Sequence, residues 1–113
     1  MTDAQKITDA FHLMWDNYPE SVMLIRKDRT IIAVNRAGAL AGREAGTKCS
    51  TLQPLENHKG CKADECAKNH SFTYRKKKGN LGDTVSFWLP VDGYPEYIVH
   101  FSVGGSMKYE YTV

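Results

Sequence analysis

The chain is expected to fold as one α+β domain in the order helix, two strands, helical crossover, three strands. Three observations predict this. An amphipathic helical stretch with a start signal and a stop signal occupies residues 2–18. Five β-rich runs follow, separated into a pair and a trio by turn sequences. Residues 43–70 lie between the two groups and carry no strand alternation, so they read as loop and short helical turns.

Thr2 with Gln5 fits a capping box, in which hydroxyl and amide satisfy backbone donors that the first helical turn leaves unpaired. Ala4, Ile7, Phe11, Met14 and Tyr18 are spaced three and four apart and form one apolar seam, widened by Trp15. Pro19 cannot continue the helix and disfavours helical geometry at Tyr18. The seam either packs on the domain's own sheet or joins two protomers, and both uses can coexist. Ser21 to Arg26 is a short apolar strand, Lys27-Asp28-Arg29 a polar turn, and Thr30 to Asn35 a β-branched second strand. Asn35 is a good N-cap for a short helix over 36–42, closed by Gly42. In the crossover, Cys61 to His70 is the best helix. Ser71 to Lys77, Thr84 to Leu89 and Tyr97 to Val103 are the last three strands, joined by Gly79-Asn80-Leu81-Gly82 and by Asp92-Gly93-Tyr94-Pro95.

Alternation then assigns faces. Val85, Phe87, Leu89, Tyr97, Val99, Phe101 and Val103 share one face, expected to be the main core under the central helices. Trp88, Ile98 and His100 lie on the other, which is too apolar to be solvated, and the N-terminal helix is expected to cover it.

Composition narrows the function classes. The chain has 113 residues, 42% apolar and 25% charged, enough for one core without staples and too apolar for disorder. No apolar run is long enough to span a bilayer, and the polar start of the chain is not a secretory signal, so a cytoplasmic protein is expected. A net charge of +2 is too slight to point to nucleic acid or a membrane surface. The run Arg75-Lys76-Lys77-Lys78 reads as a solvated edge that discourages strand-to-strand aggregation, with a docking patch for an acidic partner as the sharper reading. No Ser-His-Asp order, paired carboxylates or phosphate-cradling glycine loop is found, so no enzyme is expected.

The element order resembles a PAS domain. The pieces that carry the resemblance are Tyr18-Pro19-Glu20-Ser21-Val22, the run Ile31 to Ala37 with its Asn35, Gly42 and Gly46, and the closing strands Thr84 to Leu89 and Glu96 to Phe101. It extends from about residue 8 to residue 104. The resemblance implies a five-stranded antiparallel sheet with short helices on one face, forming a pocket for a ligand or cofactor, and an N-terminal helix that joins two protomers. Residues 1–19 would form that helix, 20–104 the sensor domain and 105–113 a tail. The family implies a non-enzymatic sensory domain that signals through a homodimer, an output domain or a partner. The chain as given has no room for an output domain, so it is expected to be an excised sensor or to act in trans. On the implied pocket, strand alternation places Val34, Leu40, Leu52, Tyr74, Phe87, Val99 and Phe101 as walls.

The second candidate site is a cysteine–histidine cluster. Cys49, His58, Cys61 and Cys66 form a thiol and imidazole set of the kind that holds zinc or an iron–sulfur cluster. His70 lies one helical turn beyond Cys66 and on the same face if the segment is helical, and Lys59, Lys62 and Lys68 would favour thiolate. Three cysteines in a chain without a secretion signal argue against a disulfide framework. Ordinary structural cysteines, a metal site and a redox thiol pair all fit the spacing, which lacks the C-x2-C knuckle. The stretch Gly46-Thr47-Lys48-Cys49 with Cys61 and Cys66 also resembles a subset of bacterial PAS sensors, although Ala67 stands where those have proline. Haem through His58 or His70 ranks below zinc and iron–sulfur. Flavin ranks last, because Lys48 and Ser50 replace the residues that the similar flavin-binding motif requires around its cysteine. A pure dimerisation domain with a filled core is the remaining reading, in which Ile7→Asp or Phe11→Asp yields monomers.

Overall fold

The computed structural model describes residues 2–48, 62–79 and 82–105. Helix α1 (Asp3–Trp15) is followed by strands β1 (Val22–Arg26) and β2 (Ile31–Val34) and helix α2 (Arg36–Leu40). Helix α3 (Ala63–Asn69) then precedes β3 (Thr73–Gly79), β4 (Gly82–Val91) and β5 (Tyr94–Val103). The strands form one antiparallel sheet in the order β2-β1-β5-β4-β3, so the two hairpins meet where β5 pairs with β1. Among the described residues no helix is long and apolar enough to cross a membrane.

The capping box forms as expected, with Gln5 N–H donating to Thr2 Oγ1 and Thr2 N–H donating to Gln5 Oε1, both at 3.2 Å. The helix stops at Trp15, short of the expected residue 18. Asn35, fully buried, is the reason: its Nδ2 donates to the carbonyls of Trp15, Tyr18 and Glu20 at 2.9–3.2 Å. Its Oδ1 accepts from Val22 N–H and from Gly38 N–H, both at 2.9 Å, so one side chain caps α2 and fixes the path from α1 into β1. Two further bonds tie that path to the end of β5. Tyr18 Oη donates to the Ser102 carbonyl at 3.0 Å, and Gly104 N–H donates to the buried Glu20 at 2.8 Å.

The β4–β5 hairpin is longer than the turn sequence suggested, since Val91 pairs with Tyr94 across Asp92-Gly93, with Gly93 at φ +80°. Pro90 and Pro95 are tolerated because this hairpin overhangs its neighbours. The β3 pairing reaches only Trp88 and the β1 pairing only Tyr97, so neither proline faces a strand on its outer side.

Both faces of the sheet are covered, but by the opposite helices to those expected. Ile7 and Phe11 of α1 pack with Val22, Leu24, Ala33 and Tyr97, and with the half-buried Val99 and Phe101. Ala63 and Cys66 of α3 pack with Met23, Ile25, Ile31, Trp88 and Ile98. Strand alternation was right and the helix assignment inverted: β1 and β5 are apolar on both faces, so periodicity separates the faces without saying which helix takes each. Full burial of each Ile or Leu contributes about 1.5–3 kcal/mol. The two clusters, back to back across β1 and β5, hold the domain together.

Candidate functional site

The chemistry-bearing side chains gather on the α3 face. Helix α3 is held there by two contacts, and its end is closed by its own cap. Arg29, in the left-handed region at φ 71°, turns β1 into β2 and reaches Asp64 of α3 at 3.1 Å. Thr73 Oγ1 donates to the Lys62 carbonyl at 3.1 Å, and His70 ends the helix in a left-handed C-cap, its N–H donating to the Cys66 carbonyl. In the turn before Arg29, the Thr30 N–H that donates to Asp28 holds that carboxyl below its ordinary value.

Beneath α3, Trp88 and His100 face each other across β4 and β5. Their rings stack at 4.5 Å with 9° between the planes. His100 Nδ1 lies 3.0 Å from the Phe87 carbonyl; a carbonyl only accepts, so Nδ1 carries the proton and the ring is fixed in orientation. The Trp88 side chain is 3% exposed, and its indole N–H has no hydrogen-bond partner among the described residues. A buried donor left unmade costs about 1–3 kcal/mol. Around it lie the apolar Met23, Ile25, Ile31 and Ile98, the half-buried Val34, and the buried Cys66 thiol. Burial pushes the Cys66 thiol up from its ordinary value. The arrangement sets a buried donor and a neutral thiol side by side in an apolar layer.

The expected wall residues do not all come together: Tyr74, Phe87 and Phe101 make one chain of ring contacts on the α1 side, and Val34 lies apart on the other face. Val34 belongs to the α3 face, whereas Val99 and Phe101 pack with α1, and Phe87 stacks on Phe101 at 5.3 Å. Tyr74 is 57% exposed and Leu40 86% exposed, and Leu52 lies outside the described residues. The physical reason is the face inversion described above, together with the register irregularity between Leu24 and Ile25, which leaves Ile32 on the α1 side and returns Val34 to the α3 side. Trp88 is the residue the wall set missed; the signal was present in the last two strands, where Trp88, Ile98 and His100 make the second face apolar.

Of the cysteine–histidine set, Cys49, His58 and Cys61 lie outside the described residues, and among the described ones no three His, Cys, Asp or Glu side chains converge. Cys66 and His70 do not share a face: Cys66 is buried, and His70 is exposed in the left-handed cap. Nor do the neighbouring lysines favour thiolate at Cys66, because desolvation is the cause that acts on it. An open depression elsewhere, between His70 and the β4–β5 hairpin (Pro90, Val91, Asp92, Gly93, Pro95), adds no convergent donor set.

Solved structures share this architecture. The sensory box sensor histidine kinase from Vibrio cholerae matches with a TM-score of 0.60 at 17% identity, over 90% of this chain and 94% of that one. The photoactive yellow protein domain of the sensor histidine kinase Ppr from Rhodospirillum centenum matches with a TM-score of 0.54 at 13% identity, over 86% and 96%. A PAS domain of an HTR-like protein from Haloarcula marismortui matches with a TM-score of 0.52 at 15% identity, over 88% and 97%. No protein-family model and no curated protein matches the sequence. The fold is the PAS fold, an α+β five-stranded antiparallel sheet, as the element order predicted.

Proposed function

We propose that this chain is a non-enzymatic sensory domain that binds a small, acceptor-bearing apolar ligand on the α3 face of its sheet and passes the binding event to a signalling partner. The observation that carries the reading is the Trp88 indole N–H, buried beside Cys66 and His100 and without a partner among the described residues. A ligand acceptor would supply the missing bond where it is worth most, in a dry apolar setting. The likeness in fold to domains of sensor histidine kinases supports a sensory role. Transmission is expected through β1 and β5, which carry apolar residues of both clusters and are tied to the α1 exit by Asn35, Tyr18 and Glu20. A ligand shifts that assembly only by its differential affinity for two arrangements. A metal or redox role for Cys49, His58, Cys61 and Cys66 has less support, because Cys66 is packed into the core as a neutral thiol.

The test is a titration of the wild-type chain and of Trp88→Phe with benzoate, benzamide and toluene, followed by calorimetry. Benzoate and benzamide are expected to bind the wild type more tightly than toluene, and Trp88→Phe to lose that preference while keeping its fold. Equal affinity for all three probes, or a preference that survives Trp88→Phe, contradicts the reading.

A further inference from the structure

The cationic run Arg75 to Lys78, which the sensory reading does not use, falls on an edge of the sheet. The two edges differ. Along β2, Ile31 N–H donates to the Thr47 carbonyl and the Ile31 carbonyl accepts from Gly46 N–H, both at 2.8 Å, while Thr30 pairs with Lys48. That edge is covered by the chain itself. Beyond β3 no strand lies among the described residues. Its seven residues pair with β4 without a bulge, from Thr73↔Trp88 to Gly79↔Gly82. Gly79 and Gly82 lie so close in sequence that their pairing is the kind that exchanges both backbone bonds. Alternation from there sends the N–H and C=O of Tyr74, Lys76 and Lys78 away from β4, where they make no backbone hydrogen bond among the described residues. A long, regular edge of this kind is a template for one more strand.

We propose that β3 takes an extended acidic segment of a partner protein as that strand. Charge selects the occupant. Against the four consecutive cations of β3, β4 sets one carboxylate, Asp83, at 3.2 Å from Lys76. Both side chains of this pair are exposed, at 65% and 47%, so the pair is weak and a partner's carboxylate can share Lys76. Arg75 and Lys77, which have interactions of their own, belong to the other face, so Lys76 and Lys78 are the cations offered beside Tyr74. A second copy of the chain does not suit this edge, because pairing β3 with β3 sets four cations against four. Apolar area is offered too. Phe72 and Tyr74 are 60% and 57% exposed, with their rings stacked at 6.5 Å. The fitting segment therefore alternates Asp or Glu with apolar residues. Single-stranded nucleic acid would meet the same rings and charges, but it cannot continue the backbone ladder. This edge is separate from the α3 face and its test measures peptide binding, so it and the sensory reading can fail independently.

The test is a titration of the full chain with a peptide as long as β3 that alternates Glu and Val, followed by nitrogen–proton correlation spectra and amide exchange. Binding is expected to slow exchange at the Tyr74, Lys76 and Lys78 amides, with far less change at Arg75 and Lys77, whose amides already face β4. The double variant Lys76→Gln, Lys78→Gln is expected to bind about tenfold more weakly, with unchanged circular dichroism because both positions are exposed. The same peptide with every backbone nitrogen methylated keeps its charges and is expected not to bind. Failure of the Glu–Val peptide to bind overturns the proposal, as does a methylated peptide or a Lys–Val peptide that binds equally well. Protection that appears at Arg75 and Lys77 instead, or an oligothymidylate that binds more tightly and displaces the peptide, also overturns it.

Discussion

Replacing Asn35 by alanine removes the side chain on which the path of the N-terminal half depends. Its amide donates to three carbonyls and accepts from two backbone N–H groups, all within 3.2 Å, and it is fully buried. In the variant, Val22 N–H and Gly38 N–H lose their acceptor in a place water does not reach. Each buried donor left unmade costs about 1–3 kcal/mol, and loss of the α2 N-cap is part of the same change at Gly38. With the carbonyl contacts also lost, the total is about 4 kcal/mol, a large share of the 5–15 kcal/mol by which domains are stable. Urea unfolding followed by tryptophan fluorescence reads this as a fall in midpoint of about 2 M for a urea slope of about 2 kcal/mol/M. Asn35→Asp keeps both acceptor contacts, cannot make the three donations, and sets a carboxylate against three carbonyls, so it too is expected to be strongly destabilised. A loss below about 1 kcal/mol for alanine, or an aspartate variant as stable as wild type, refutes the reasoning.

Three further outcomes follow from the packing. Phe11→Ala lowers stability by about 3 kcal/mol in thermal or urea unfolding, and Phe11→Asp abolishes folding instead of releasing folded monomers, because the ring is buried in the chain's own core. Gly38→Ala is destabilising by about 1–3 kcal/mol, since a Cβ there meets Asn35 Oδ1 and Ser21 Oγ at 3.1 Å and Val34 Cβ at 3.2 Å. Cys66 resists a thiol-labelling reagent until the protein unfolds. Its raised folded value also makes stability fall as pH climbs past the ordinary thiol value of 9.0, because the unfolded chain ionises first. Cys66→Ala removes that alkaline loss, as a pH series of urea midpoints will show.

Much of the fold was legible, and the reasons are local. Thr2 and Gln5 announce a capping box, Asn35 an N-cap, and Asp92-Gly93 a hairpin, because each is a short-range hydrogen-bond or φ requirement written in adjacent residues. The ends of α1 and the cover of each sheet face were not legible. Helix α1 ends where Asn35, distant in sequence, takes its carbonyls, and no periodicity within the helix reports that. Strands β1 and β5 bury residues on both sides, so alternation yields two equivalent apolar faces and no ownership for either. The candidate site inherited that ambiguity: Phe87, Val99 and Phe101 were grouped on the face that α1 covers, while Trp88, assigned only as an apolar residue awaiting cover, holds the unpaired donor. The cysteine spacing suggested coordination, but spacing does not report burial, and at Cys66 burial decides the state of the thiol.

The central claim, that the Trp88 indole N–H awaits a ligand acceptor, is most directly tested by the indole region of a nitrogen–proton correlation spectrum. The chain has two tryptophans, so two indole N–H resonances are expected, one from Trp15 and one from Trp88, assigned with Trp88→Phe. On addition of benzoate the account predicts a downfield shift of the Trp88 signal, as its proton enters a hydrogen bond, with the Trp15 signal moving far less. A Trp88 signal that stays in place while benzoate binds contradicts the account.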